Sequence, residues 1–360
     1  MTATAAPVRD LSAHRELDGL RGLAILAVLA THIVFLNGGD DSYSLKGGFL
    51  GVDVFLVLSG FLISGVLVRE AGATGSIDGT GFARRRALRL VPPLAVLVLV
   101  HTVVSIAIGD DVGEQLLQAV LALTFTANWQ LSFDHHAPLG VVHLWSLALE
   151  AQFYALVALG VWAARRHLRR PIPLLVGLGV GVVAVAVWRT VALERGWLLE
   201  SLYQRTDTRL DSLLLGVAAL LVWRHRIVSD AVLRAAGAVG GVVLLAAWVV
   251  AEPSSEWLYR GGFSVLGLAA AAVVAAAATG LGPVARVGDL GALRWIGGIS
   301  YSLYLWHLPI YVWTRRTLQD SVPLWVLLLI ALSASFAAAV LSFRLFEARA
   351  VARRRQPAAA

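Results

Sequence analysis

The chain has 360 residues, of which 58% are hydrophobic and 15% are charged, and its mean hydropathy is +0.75. Soluble proteins carry roughly 45–50% apolar and about 25% charged residues, so the composition indicates a polytopic membrane protein. The net charge is +7, but the arginines lie in short segments between apolar runs, which favours cytoplasmic loops over nucleic-acid binding. The absence of cysteine excludes disulfides, thiolate metal sites and cysteine nucleophiles.

Ten apolar runs approach the length of about 20 residues that a spanning helix needs. They are Gly19–Leu36, Phe49–Val68, Leu90–Ile108, Val141–Ala164, Pro173–Val191, Leu210–Trp223, Val232–Val250, Phe263–Gly280, Trp295–Trp313 and Pro323–Phe343. The run Leu210–Trp223 is short, and we extend it back through Thr206–Arg209. The sequence therefore predicts an all-α polytopic integral membrane protein.

One further apolar run, Gln115–Thr126, is too short to span, because a dozen residues rise only about 18 Å in a helix. If it crossed, the arginines of residues 165–170 would lie outside, against the positive-inside rule. We therefore predict ten spanning helices, two cytoplasmic termini, and a short re-entrant or interfacial helix on the outer side.

The chain shows no internal repeat and no soluble domain. We divide it into a cytoplasmic tail at residues 1–14, a membrane domain at residues 15–349 and a second cytoplasmic tail at residues 350–360. The bias toward arginine over lysine, with abundant alanine and valine, hints at a GC-rich bacterial genome. We therefore expect the protein in a bacterial inner membrane.

The first span carries a histidine deep in apolar sequence. Arg15, Asp18 and Arg21 are three residues apart, so they share one helix face, and His32 lies three turns further along that face. An ionisable residue at that depth is a functional-site candidate, and histidine moves protons near neutral pH. The alternative is that the arginines only set topology and that His32 bonds a neighbouring helix.

The second span begins at its outer end with Asp53, on the side of the membrane predicted for His32. Small residues in this span, including Ser59 and Gly60, suit close packing of helices.

An arginine cluster, residues 84–89, precedes the third span. Arg86 and Arg89 are three apart and would project together from the start of that helix, with Arg85 beside them. Guanidinium groups bind phosphate through paired donors, which points to a ligand with several phosphates. A topology anchor, or attraction to anionic lipid, remains the alternative.

A third polar segment begins at His143, and Glu150 lies about two turns beyond it in a hydrophobic helix. A buried carboxylate needs a partner or a raised pKa. Arg205 or Arg209 could be that partner, which would make the pair structural. A later segment adds a further intramembrane histidine, His307, whose role the sequence leaves open.

Together these segments resemble the acyltransferase-3 family of integral membrane O-acyltransferases, from Arg15 to about Arg349. The resemblance is carried by five ordered motifs: Leu17–Gly22 with His32, Gly51–Ile63, the Arg86-x-x-Arg89 pair ahead of Pro92, His143–Tyr154, and Ile299–His307. Some relatives carry a C-terminal extracytoplasmic hydrolase-like domain. We expect none here, because the sequence ends soon after its last predicted helix.

The resemblance implies transfer of an acyl group, often acetyl, from cytoplasmic acyl-CoA to a hydroxyl of a carbohydrate, a glycolipid or a macrolide-like metabolite. Arg21 and His32 match the essential arginine and histidine of the family's first helix. Arg86 and Arg89 match its arginine pair, which is thought to engage the donor.

We accordingly expect His32 to act as general base on the acceptor hydroxyl, with Glu150 or Asp53 orienting its imidazole. The donor site would comprise Arg21, Arg85, Arg86 and Arg89. Acyl-CoA is expected as a substrate, with no permanently bound cofactor, and the sequence lacks metal-ligand spacing such as His-Glu-x-x-His. The alternative function is a transporter or flippase for a lipid-linked sugar, against which the missing repeat symmetry counts. The oligomeric state and the acyl length stay open.

Overall fold

The computed structural model describes residues 14–134 and 140–348 of the chain. Within these ranges every regular element is a helix, which confirms the predicted all-α class. The predicted tails at residues 1–14 and 350–360 fall, apart from His14, outside the described residues.

Sixteen α-helices follow one another along the described ranges. In chain order they are α1 Glu16–Thr31, α2 Ile33–Leu36, α3 Gly51–Thr74, α4 Gly79–Ala107, α5 Val112–Leu123, α6 Ala127–Asp134, α7 Trp145–Ala164, α8 Pro171–Glu194, α9 Leu199–Gln204, α10 Thr206–Arg224, α11 Asp230–Val250, α12 Phe263–Ala277, α13 Gly282–Gly288, α14 Gly291–Gly298, α15 Ser300–Leu318 and α16 Leu324–Ser342. Short 3-10 turns precede α3 and α7, at Lys46–Leu50 and Val142–Leu144. The segment Leu258–Gly262, which is kinked at Arg260 and Gly261, precedes α12, and a π-helical turn at Phe343–Glu347 follows α16.

Among the described residues, 8 helical segments are long and apolar enough to cross a membrane. They are Glu16–Leu36, Lys46–Thr74, Gly79–Ala107, Val142–Ala164, Pro171–Glu194, Asp230–Val250, Leu258–Ala277 and Leu324–Glu347. Helix α8 has an apolar face that no other part of the described chain covers. On this face Val176, Val180 and Val183 are each more than 60% exposed. An exposed apolar stripe of this kind is what the hydrocarbon of a bilayer covers.

The two remaining predicted spans correspond to α10 and α15, which have 19 residues each. A helix of that length rises about 28 Å, close to the thickness of the hydrocarbon core. Both helices are less apolar than the other eight because their polar side chains, such as Arg209 and His307, are buried against other helices rather than facing lipid. Crossing by these two helices stays a prediction.

The short apolar run forms α5, which has 12 residues and is capped at its N-terminus by Asp111, whose carboxylate accepts the Glu114 backbone N–H at 2.8 Å. Its polar Gln115 and Gln118 are buried, whereas its apolar Leu116 and Val120 are more than half exposed. An outward apolar face on so short a helix is typical of a segment that lies against lipid without crossing.

The arginine cluster lies inside α4 and not at the start of a helix after a loop, as the sequence suggested. The helix begins earlier, because the Asp78 side chain accepts the Gly81 N–H at 2.8 Å and caps it. That hydrogen bond and one from Thr80 hold the pKa of the Asp78 carboxyl below its usual value. The segment between the second and third predicted spans, residues 69–89, is therefore helical except for the turn between α3 and α4.

Close contact between α3 and α10 depends on two glycines that face each other. A Cβ atom on Gly60 would lie 2.2 Å from the carbonyl oxygen of Leu213, and one on Gly216 would lie 2.2 Å from that of Val57. The predicted use of small residues for helix packing is therefore seen at Gly60.

Three helices, α1, α4 and α15, run in the same direction and frame the site. In their N-terminal halves, the Tyr301 hydroxyl of α15 donates to the carbonyl oxygen of Leu90 in α4 at 2.8 Å. At the opposite ends, Arg316 of α15 pairs with Asp110, just beyond α4, at 2.9 Å. The end of α15 near Arg316 therefore lies on the opposite side of the protein from the arginine cluster of α4.

Candidate active site

The imidazole of His32 contacts a second imidazole, that of His307. His32 Nδ1 lies 2.9 Å from His307 Nε2, and the rings stack with centroids 5.1 Å apart. His32 lies at the C-terminal end of α1, where the helix breaks for one residue before α2. His307 is fully buried in α15, whereas His32 is partly accessible.

The hydrogen-bond partners of His307 fix which ring nitrogens carry hydrogen. Its Nδ1 faces two backbone carbonyl oxygens, those of Tyr304 at 2.7 Å and Leu303 at 3.1 Å. Carbonyl oxygens only accept, so Nδ1 is the donor, and the Nε2 of the neutral ring accepts from His32 Nδ1–H. The Nε2 of a neutral His32 therefore keeps a free lone pair, as a general base requires.

A third histidine and a tyrosine complete the surroundings of this pair. The ring of His143 lies 5.2 Å from that of His307 and 5.1 Å from that of Tyr304. The Tyr304 hydroxyl lies 2.7 Å from Ser146 Oγ and also donates to the backbone carbonyl of His143. In the described ranges, no three histidine, aspartate or glutamate side chains are grouped as metal ligands would be.

Beside Tyr304 lies a cavity between α1, α3, α7 and α15. Its lining combines hydroxyl groups, one arginine and one carboxylate with apolar side chains: Arg21, Val52, Phe55, Leu56, Leu58, Ser59, Ser146, Leu147, Glu150, Ser300, Tyr301 and Tyr304. Tyr304 lines this cavity and also contacts His307, with ring centroids 5.7 Å apart.

Arg21 enters the cavity from α1 and contacts α15. Its Nε donates to Ser300 Oγ at 3.3 Å, so Arg21 and His32 both face α15, as their shared helix face predicts. The charges of Arg89, Asp18 and Glu150 act on the Arg21 guanidinium.

Glu150 faces the same cavity and not the histidine pair. Its Oε1 accepts hydrogen bonds from the hydroxyl groups of Ser59 and Tyr154. Neither arginine that the sequence offered as partner pairs with it, because Arg205 pairs with Asp207 and Arg209 pairs with Asp53.

The arginines of α4 divide into two groups. Arg86 is 8% exposed and its Cζ lies 5.5 Å from the centroid of Tyr154, the tyrosine that donates to Glu150. Arg89 has a buried Nε with no hydrogen-bond partner among the described residues. Arg85 is exposed and lies near Glu70 at 3.6 Å, away from the cavity. Helical periodicity explains the division, since residues three apart share a face and adjacent residues do not.

Sequence reasoning missed Glu347 in the turn after α16. The carboxylate is 1% exposed, accepts from Ser302 Oγ at 2.6 Å, and interacts electrostatically with Arg89 and Arg21. Its position, as an ionisable residue at the end of an apolar run, was the available signal.

Asp53 lies in a buried ion pair. Its Oδ1 accepts from Arg209 at 2.7 Å and from Ser212 Oγ at 2.9 Å, and all three side chains are fully buried. A second buried pair, Arg189 with Asp211 at 2.9 Å, lies nearby. Neither Asp53 nor Glu150 contacts His32 in the part of the chain that the structure describes.

The Arg189 and Arg209 guanidinium groups also lie over one aromatic ring. Their Cζ atoms are 5.4 and 3.7 Å from the centroid of Phe263. Stacked, paired and hydrogen-bonded charges of this kind hold helices together, which favours a structural role for the group.

Comparison with known proteins places most of the chain in one family model. Residues 14–344 match the model described as an acyltransferase domain. The peptidoglycan O-acetyltransferase OatA of Listeria monocytogenes is 32% identical over 349 residues, which cover 92% of this chain and 55% of that protein. The O-acetyltransferase OatA of Staphylococcus aureus is 30% identical over 353 residues, with 92% and 56% covered. This chain thus spans about half the length of the curated relatives it matches, and no solved structure matches it.

Proposed function

We propose that this chain, which belongs to the acyltransferase family matched over residues 14–344, is a membrane O-acyltransferase that acetylates a hydroxyl of a cell-envelope carbohydrate. The relatives named above support the acyl group and the class of acceptor, since one is a peptidoglycan O-acetyltransferase. The protein would lie in a bacterial cytoplasmic membrane with both termini inside.

The donor is acyl-CoA, bound at the N-terminal ends of α1, α4 and α15. Arg86 and Arg89 would hold its phosphates, since a buried guanidinium nitrogen without a partner at Arg89 is a donor awaiting an anionic acceptor. The flexible arm would enter the cavity lined by Arg21, Ser59 and Glu150. Glu150 would hold Arg21 in place by charge attraction.

The single observation that carries the catalytic role is the contact between His32 and His307. His32 Nε2 takes the proton of the acceptor hydroxyl while the oxygen attacks the thioester carbonyl. The carbon–sulfur bond then breaks, and the thiolate of CoA leaves and takes the proton from His32. Throughout, His32 Nδ1–H stays bonded to His307, which holds the ring in the reactive orientation.

The donor has to pass Tyr304 to reach His32. The Tyr304 hydroxyl is held by Ser146 and the His143 carbonyl, and its ring contacts His307. The donor route would open if this side chain rotated away from Ser146 and the His143 carbonyl.

Purified protein incubated with acetyl-CoA labelled in the acetyl group tests the proposal. An acyltransferase releases free CoA and labels an added oligosaccharide in equal amounts. A flippase for a lipid-linked sugar would release no CoA, and that result, with folded protein confirmed, would refute the proposed function.

A further inference from the structure

A second cavity lies at the opposite ends of α1 and α15 from the donor cavity. It occupies about 230 Å³ and is lined by Phe35, Val312, Arg315, Arg316 and Gln319. Sites that enclose a whole drug-sized ligand measure roughly 300–1,000 Å³, so this cavity suits one group of a larger molecule.

The histidine pair lies between the two cavities along one helix seam. Arg21 contacts Ser300 at one end of the seam, at 3.3 Å. At the other end, the Arg315 guanidinium donates to the backbone carbonyl of Phe35 at 3.2 Å. The ring of Phe35 is 5.6 Å from that of His32, so the second cavity begins about one helical turn beyond the reactive imidazole.

The cavity carries more positive than negative charge. Arg316 pairs with Asp110, which neutralises it. Arg315 pairs with no carboxylate in residues 14–134 and 140–348; its contacts are the Phe35 carbonyl and the Gln319 side-chain oxygen at 3.0 Å. Both are neutral acceptors, so no described carboxylate compensates the charge of Arg315 in this cavity.

We propose that this cavity is the acceptor subsite and that Arg315 binds an anionic group, a carboxylate or a phosphate, of the saccharide that receives the acyl group. The inference rests on the proposed function and adds the charge of its acceptor. A guanidinium binds either group through paired N–H donors. The cavity and the donor site lie on opposite sides of His32, so donor and acceptor reach the imidazole without competing for space.

The test compares acceptors that differ only in charge. Wild-type protein and Arg315→Gln are assayed with labelled acetyl-CoA and a uronic-acid oligosaccharide, its neutral methyl ester, a hexose phosphate and the free hexose. For the anion that Arg315 recognises, Arg315→Gln should raise KM about tenfold or more, while KM for its neutral counterpart stays unchanged. The anion that shows this dependence identifies the group as carboxylate or phosphate.

Two further variants distinguish binding of the acceptor by Arg315 from a purely structural contact between α15 and α2. Thr317→Ala changes an exposed side chain of the same helix that lines neither cavity and bonds only the backbone of α15, so its KM should stay within about twofold of wild type. Arg315→Lys keeps the positive charge but lacks the paired N–H donors of a guanidinium. Its KM for the charged acceptor should lie between those of wild type and Arg315→Gln. Equal losses on charged and neutral acceptors in Arg315→Gln, or no change at all, would overturn the inference.

The wild-type protein alone also tests the subsite if Arg315→Gln does not fold. KM for the charged acceptor should then be at least about tenfold below that for its neutral counterpart, and equal values would overturn the inference. If CoA were released but the acyl group were transferred only to neutral acceptors, the proposed function would be supported and the anionic subsite would be refuted. No CoA release with any acceptor would instead contradict the proposed function, and the subsite with it.

Discussion

His32 donates through Nδ1 to Nε2 of His307 across the seam between α1 and α15, at a distance of 2.9 Å. The direction of this hydrogen bond follows from the backbone carbonyls that face Nδ1 of His307. This arrangement leaves the lone pair of His32 Nε2 free. It also means that the fully buried His307 orients the partly accessible His32.

His307 should be a positioning residue for His32. His307→Gln keeps an acceptor near the position of Nε2, whereas His307→Leu removes it, so kcat should fall about 10-fold in the first and 100-fold or more in the second. The KM for acyl-CoA should stay near wild type in both, because the donor site lies beyond Tyr304. Steady-state kinetics on folded protein measure this, and equal losses in both variants would argue for a purely structural role.

Arg86 and Arg89 should bind the donor. Replacing either with alanine removes a charge-assisted contact, which typically costs about 1.5–3 kcal/mol of binding free energy. Lysine should rescue only in part, because the fork of donors is lost. Titration of each variant with acyl-CoA measures the affinity.

Arg85→Ala is the matched control for the donor site, since Arg85 is exposed beside Glu70 and Asp78. Its affinity for acyl-CoA should stay within about twofold of wild type. If all three alanine variants bound acyl-CoA like wild type, the cluster would serve only to set topology.

Asp53 should contribute to stability and not to orientation of His32. Asp53→Ala leaves the Arg209 guanidinium buried without its carboxylate, which should cost about 3–5 kcal/mol. Asp289→Ala is the control, because its partner Arg294 is at the surface and such pairs contribute about 0–1 kcal/mol. Thermal unfolding of purified protein compares the two. Wild-type stability with lost turnover in Asp53→Ala would restore the orienting role.

Helix α5 should not cross the membrane. The cysteine-free chain permits single cysteines at exposed positions, and Phe133→Cys should react with an impermeant thiol reagent on intact cells, as should Tyr43→Cys. His167→Cys should react only after the membrane is opened. Labelling of His167→Cys from outside, with Phe133→Cys protected, would require eleven crossings and move the carboxyl terminus outside.

Local spacing predicted several features of the site correctly. The three-residue interval of Arg86 and Arg89 indicated a shared face, and the structure turns both inward while Arg85 stays exposed. The same periodicity placed Arg21 and His32 on one face of the first helix. These features depend only on the pitch of a helix, which a sequence displays directly.

Partners distant in sequence were not predictable in this way. His307 is 275 residues from His32, and no periodicity connects the two positions. Asp53 and Glu150 are both carboxylates within predicted spans, yet one is paired with Arg209 and the other is held by hydroxyl groups near Arg21. Which arginine meets which carboxylate depends on the packing of helices, so the sequence indicated that partners are needed but not which ones.

The mechanism depends on His32 as the general base, and turnover by His32→Ala with intact donor binding decides whether it has that role. The variant should bind acyl-CoA with wild-type affinity and keep its thermal stability, because Arg86, Arg89 and the buried ion pairs are untouched. Its transfer of labelled acetyl to an oligosaccharide should fall at least about 10²–10⁴-fold, the usual contribution of general base catalysis. Transfer near the wild-type rate by the folded variant would contradict this mechanism.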